Sequence, residues 1–191
     1  NTFRYLIGNL DGFTNEEKID ETDFPDLEKF ILHRLWEMDK IIKECVKTFN
    51  LHLMFTTLLN FCSNDLSAFY FDIRKDVIYC DGKKSIERRS SRTLLDIIFN
   101  YLVRWFAPSL SFTAEEAWKS RNNNSSIHLE DFLITPESYK NSEVNDIWIT
   151  LKQIRKVITG ALEKKRADKI IGSSLEAHID IYLEKSILEK I

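Results

Sequence analysis

The chain has 191 residues, 43% hydrophobic and 12% aromatic, which suits one domain, or one domain plus an appendage, with a substantial core. Five glycines and three prolines are too few for a turn-rich all-β protein, and long periodic apolar runs point to helices. A net charge of −3 and a pI near 5.9 exclude a global electropositive field, but charge is uneven: residues 1–50 carry 7 Lys/Arg against 11 Asp/Glu, and residues 152–169 carry 7 against 2.

Asn1 to Leu10 reads as the end of a helix, with Phe3, Leu6, Ile7 and Leu10 on one face and Asp11-Gly12 as its breaker. Acidic, polar residues follow to Asp23. Pro25-Asp26 then opens a long helix whose apolar stripe, from Leu27 through Phe30, Ile31, Leu35, Met38, Ile42 and Cys45 to Phe49, predicts a rod of about 36 Å. Leu51 to Phe61 continues the pattern and is expected to join the next helix with an irregularity near Ser63-Asn64.

That next stretch, Leu66 to Asp81, is LSAFYFDIRKDVIYCD. Leu66, Phe69, Tyr70 and Ile73 form one helical face, and Asp72, Arg74, Lys75 and Asp76 lie off it. Val77 to Lys84 reads as a loop or short extended piece turning at Asp81-Gly82. Ser85 is a natural N-cap for a helix burying Ile86, Leu94, Leu95, Ile97, Ile98, Tyr101, Leu102 and Trp105, which Ala107-Pro108 breaks or kinks. Thr113-Ala114-Glu115-Glu116 reads as a capping box for a short helix, and Arg121 to Ser126 as a loop. A last long helix, Glu143 to Arg166, turns basic toward its C-terminus. Beyond Gly172-Ser173-Ser174, the alternation of Ala177 to Leu183 predicts a short strand, and Lys185 to Ile191 another helix.

Catalytic signatures are missing. Gly82-Lys83-Lys84-Ser85 is not a P-loop, because Val77 stands where the motif needs glycine, and Gly172-Ser173-Ser174 lacks the G-x-S-x-G elbow. His33, His52, His128 and His178 form no zinc-ligand spacing, and Cys45, Cys62 and Cys80 lack any C-x-x-C pair, so the simplest reading is a reduced, cytoplasmic protein without a metal site. Asn124-Ser125-Ser126 matches a glycosylation sequon, which means nothing in the cytosol. Neither a leader nor a run of transmembrane length is present, although the chain starts without Met, on mid-helix text, and reads as an excised fragment.

The text N-D-L-S-A-F-Y-F-D-I-R-K-D-x-x-Y, followed by A-P-S-L-S-F-T-A-E-E-A-W and I-G-S-S-L-E-A, closely resembles the bacterial-type isoleucyl-tRNA synthetases, from Asn1 to at least Ala177. Their HIGH and KMSKS nucleotide-binding motifs do not occur, so the resemblance begins after the catalytic core. It implies an all-α helical bundle, the anticodon-binding domain at residues 1–169, with a short α/β appendage at 170–191 that starts a C-terminal junction domain. It further implies a monomer whose partner is the anticodon stem-loop of tRNA(Ile), with neither DNA nor membrane involved. No cofactor belongs to this segment. ATP and magnesium would serve the absent catalytic domain, and a zinc site the tail beyond Ile191.

Three basic clusters are candidates for holding RNA, since Lys and Arg neutralise phosphates and a guanidinium also packs on an unstacked base. The first is Arg74, Lys75, Lys83 and Lys84; the second is Arg88, Arg89 and Arg92 within about 100° on one helix face. The third is Lys152, Arg155, Lys156, Lys164, Lys165, Arg166 and Lys169. Local pairing competes with each reading: Arg74 and Lys75 flank Asp72 and Asp76, Arg92 can reach Asp96, and a solvated face is the default for the third. Phe99 and Val103, on the same side as the second cluster, require a helix neighbour. The same domain of a valyl- or leucyl-tRNA synthetase, or a helical interaction module without RNA, are the competing functions.

Overall fold

The computed structural model describes residues 1–122 and 125–188; the sequon asparagine at 124 and the last three residues lie outside them. The chain divides into two compact units, Asn1–Lys140 and Asn141–Ile191. The boundary expected from sequence falls later, after Lys169, so the last long helix belongs to the second unit rather than the first.

The first unit opens with α1 (Thr2–Asn9), and an irregular acidic segment leads to α2 (Asp26–Lys47), where Pro25 occupies the N-cap. Then come α3 (Leu51–Asn60), a π-helical stretch (Phe61–Phe71), α4 (Asp72–Cys80), α5 (Ile86–Phe106) and α6 (Ser111–Lys119). The centre is α5, which packs against α1, α2, α4 and α6. Leu94, Leu95, Ile98, Phe99, Leu102 and Val103 on it are fully buried, an apolar arc of about half the helix circumference, and the remaining side is buried through the polar Arg92, Thr93, Asp96 and Arg104. Each such apolar side chain contributes about 1.5–3 kcal/mol of burial. The neighbour required by Phe99 is partly α1: the Phe3 ring meets Phe99 edge-on at 6.3 Å.

The irregularity expected near Ser63-Asn64 is the π-helical stretch, which runs on directly from α3 into α4. A π turn closes i→i+5 bonds and takes up more residues than an α turn, so the buried face advances along it. Leu66, Phe69 and Tyr70 are buried as expected, but Phe71 joins them at 5% exposure, and Ile73 drops to half-buried. The two longest helices end alike. Phe49 (φ 55°) follows α2, and Lys169 (φ 56°) follows the last long helix; each precedes a backbone N–H that bonds back over five residues, Asn50 to Cys45 and Ile170 to Lys165.

Four local readings need correction. Val77 to Cys80, read as the start of a loop, complete α4, which ends only at the Asp81 C-cap before the Gly82 turn. Ser85 does cap α5, its side chain accepting from the Arg88 amide, but Ile86 beside it is 58% exposed. Thr113 caps nothing: α6 already starts at Ser111, so Thr113 and Glu116 lie inside the helix and form no capping box, while the neighbouring Glu115 accepts from the Ile127 amide and the Ser126 hydroxyl. Residues 177–184 form no strand among the described residues, because alternation of side chains cannot make a ladder without a second strand to exchange hydrogen bonds.

The second unit contains α7 (Ser142–Ala167), capped by the Asn141 side chain on the Val144 amide, and α8 (Lys185–Leu188). Its described residues are half-buried or exposed, without exception. Both units are helical, in keeping with the all-α reading.

Candidate nucleic-acid interface

The basic candidates have distinct environments. Arg74, in the first turn of α4, points into the first unit: Nε and Nη2 each donate to Glu28 at 2.7 Å, one to each carboxylate oxygen. Glu28 is fully buried near the start of α2, and it also accepts from the Tyr70 hydroxyl at 3.0 Å and the Ser91 hydroxyl at 3.3 Å. The carboxylate thus ties α2, the π stretch, α4 and α5 together. Burial and the facing Glu28 charge push the Tyr70 phenol well above its ordinary pKa, so it remains a donor. Lys75, one residue along from Arg74, is half-exposed and pairs with Asp72 at 2.9 Å.

Arg89 and Arg92 reach back to the acidic segment after α1. Arg92 is 5% exposed; its Nε donates to the Asn9 carbonyl, Nη2 to that of Asp11, and Nη1 to the Glu17 carboxylate at 2.5 Å. Arg89 donates to the carbonyls of Glu16, Glu17 and Lys18. Arg88 donates to the Ile78 carbonyl and lies 4.0 Å from Glu17. Asp96, the partner expected for Arg92, instead meets Lys18 at 3.0 Å and Arg121 at 2.7 Å. These guanidiniums staple a segment with no regular core of its own onto α5. Sequence reasoning missed Glu17 as their partner, because a contact across more than seventy positions leaves no local spacing to read.

Lys83 and Lys84, in the turn between α4 and α5, are exposed to solvent. On α7, Lys152 and Arg155 are half-buried, Lys156, Lys164 and Lys165 are exposed, and Arg166 pairs with Glu163 at 2.7 Å. The basic end of α7 suits the negative end of its dipole. Exposed lysines on such surfaces can bind phosphates at no cost to internal pairing.

Among the described residues no three His, Cys, Asp or Glu side chains are grouped as a metal site would require. Among the described residues no helix is long and apolar enough to cross a membrane.

The first unit is an all-α bundle whose internal ion pairs leave Lys83 and Lys84 exposed at the α4–α5 turn, and α7 carries exposed Lys156, Lys164 and Lys165. The model for the anticodon-binding domain of tRNA ligases matches residues 28–181, and the chain belongs to that family. Within the family its similarity is to isoleucine–tRNA ligases: 50% identity over 99% of the chain to the enzyme of Pelagibacter ubique, 45% over 95% to that of Zymomonas mobilis, and 45% over 97% to that of Gluconobacter oxydans. This is the resemblance already legible in the FYFDIRKD text. The chain spans about a fifth of these relatives, 21%, 20% and 19% of their respective lengths.

Proposed function

We propose that this chain is the anticodon-binding part of an isoleucine–tRNA ligase. It holds the anticodon stem-loop of tRNA(Ile) and so orients the acceptor end for ATP-dependent aminoacylation by a catalytic domain elsewhere in a longer, monomeric, cytoplasmic protein. The observation that carries this reading is the 50% identity to the Pelagibacter ubique isoleucine–tRNA ligase across almost the whole chain. The chain's own contribution is binding and orientation, with no chemical step assigned to it.

The exposed Lys83 and Lys84, together with Lys156, Lys164 and Lys165 on α7, supply the phosphate contacts in this reading. Arg74, Arg89 and Arg92, engaged internally, support the bundle that presents them. Filter binding of a tRNA(Ile) transcript at two salt concentrations tests it. Affinity falls steeply with salt, and Lys83→Gln with Lys84→Gln makes the salt slope shallower by about 0.7–0.9 per lost contact. Salt-insensitive binding, or equal affinity for tRNA(Val) and tRNA(Leu), contradicts the assignment.

A further inference from the structure

Residues 48–64 contain no Asp, Glu, Lys or Arg, the longest such run in a chain of which 30% is charged. They make up the corner after α2, the whole of α3 and the start of the π stretch. The core uses one side of α3, where Met54 and Leu58 are fully buried. On the outer side Leu51, Phe55 and Leu59 recur at i, i+4 and i+8 as a second apolar stripe, with Leu51 48% and Leu59 61% exposed and Phe55 half-buried. The exposed positions beside that stripe are His52, Thr56 and Asn60. A helix apolar on more than one side belongs between neighbours, yet this side of α3 faces solvent.

Phe49, two residues before Leu51, is the second observation. Its φ of 55° is a conformation that costs an L side chain free energy and glycine none, while its ring is 85% exposed and adds little to the packing of the chain. Backbone strain carried by a side chain that the fold does not use marks a contact made with something else. An aromatic ring beside a charge-free apolar stripe has the composition of an interface centre.

A surface without cations cannot neutralise phosphates, so RNA is not what covers it. Size separates the remaining occupants. Phe49, Leu51, Phe55 and Leu59 expose on the order of 400 Å², half of the roughly 800 Å² per partner that a stable association of separate molecules buries. A domain of the same polypeptide needs less, because tethering supplies an effective concentration in the millimolar range and such interfaces begin at about 600 Å² over both sides. The chain spans about a fifth of the length of its relatives. We infer that Phe49 and the outer stripe of α3 dock an uncharged, apolar face of another domain of the same longer polypeptide. The inference rests on the function proposed above, and adds to it a contact that holds the bundle against a neighbouring domain.

Hydroxyl-radical footprinting read by mass spectrometry tests it, applied to the 191-residue chain and to the longer protein, because exposed phenylalanine and leucine side chains are oxidised faster than covered ones. Phe49 is modified at least about fivefold more slowly in the longer protein, as a ring excluded from water at an interface centre should be. Leu59→Glu leaves the melting temperature of the 191-residue chain unchanged, and in the longer protein it returns Phe49 to the rate found in the 191-residue chain. Equal rates for wild-type Phe49 in the two proteins overturn the inference. So does a Phe49 that stays protected in the Leu59→Glu longer protein, since its cover then lies off α3. Slow modification of Phe49 in the 191-residue chain itself, deepening with protein concentration, makes the occupant a second copy and overturns it as well. Charging of tRNA(Ile) by the longer protein is measured alongside: its absence removes the proposed function, whereas the footprint alone decides the docking surface.

Discussion

Glu28 and Arg74 meet through two parallel hydrogen bonds of 2.7 Å each, across 46 positions of sequence, with the carboxylate fully buried. Burial works against the Arg74 charge, but the Glu28 hydrogen bonds outweigh it and hold the guanidinium above its ordinary pKa. Arg74→Ala leaves the carboxylate with only the Tyr70 and Ser91 hydroxyls, and breaking a buried pair in this way costs about 3–5 kcal/mol. Arg74→Lys does not restore it, because an ammonium cannot supply the two-pronged fork. Urea denaturation reads the loss directly. A change below about 1 kcal/mol would show that Arg74 is not structural.

Arg92 makes a second prediction. Its removal strands the Asn9 and Asp11 carbonyls and the Glu17 carboxylate, so Arg92→Ala should cost about 2–3 kcal/mol, with Arg89→Ala smaller because it loses carbonyl contacts at a more exposed site. Limited proteolysis should then cut within residues 11–23 before the helices. tRNA affinity measured well below the melting temperature should stay within twofold. An affinity loss with unchanged stability reverses the assignment and places these arginines on the RNA.

Which features could be read from the sequence follows from the range of the interactions that make them. The start of α2 at Pro25-Asp26 and the Ser85 cap of α5 depend on neighbouring residues, and both were legible. The π-helical path of Phe61–Phe71 was not, because an i→i+5 bond differs from an i→i+4 bond by a shift that only tertiary packing selects; the sequence showed no more than a break in phase. For the basic residues, charge density marked candidates but could not separate exposed Lys83 and Lys84 from Arg92, whose partners lie 75 to 83 positions away.

Phe49 supplies a third prediction. It stands at φ 55° in the left-handed position that ends α2, with its ring 85% exposed, where glycine would adopt the same conformation without steric cost. Phe49→Gly is expected to stabilise the protein by about 1 kcal/mol, a rise of about 2–4 °C in melting temperature for a chain of this size. A fall in melting temperature would show that the ring contributes contacts that outweigh its backbone strain.

The cysteines give the last prediction. Cys80 is exposed, whereas Cys45 and Cys62 are buried, and burial pushes the Cys62 thiol from about 9 up to about 11, only partly offset by the Thr2 hydroxyl. The thiolate is the reactive form, so at pH 8 one cysteine should react rapidly with a disulfide reagent and two should wait for unfolding. The same shift has a sign for stability. The folded chain holds the Cys62 proton more tightly than the unfolded chain, so this contribution is complete below about pH 9 and is lost progressively as pH rises toward 11. Cys62→Ala should flatten the alkaline decline in that window, and an unaltered decline would assign it to other groups, with the Tyr5 phenol the next to examine because its pKa of about 12 lies just above.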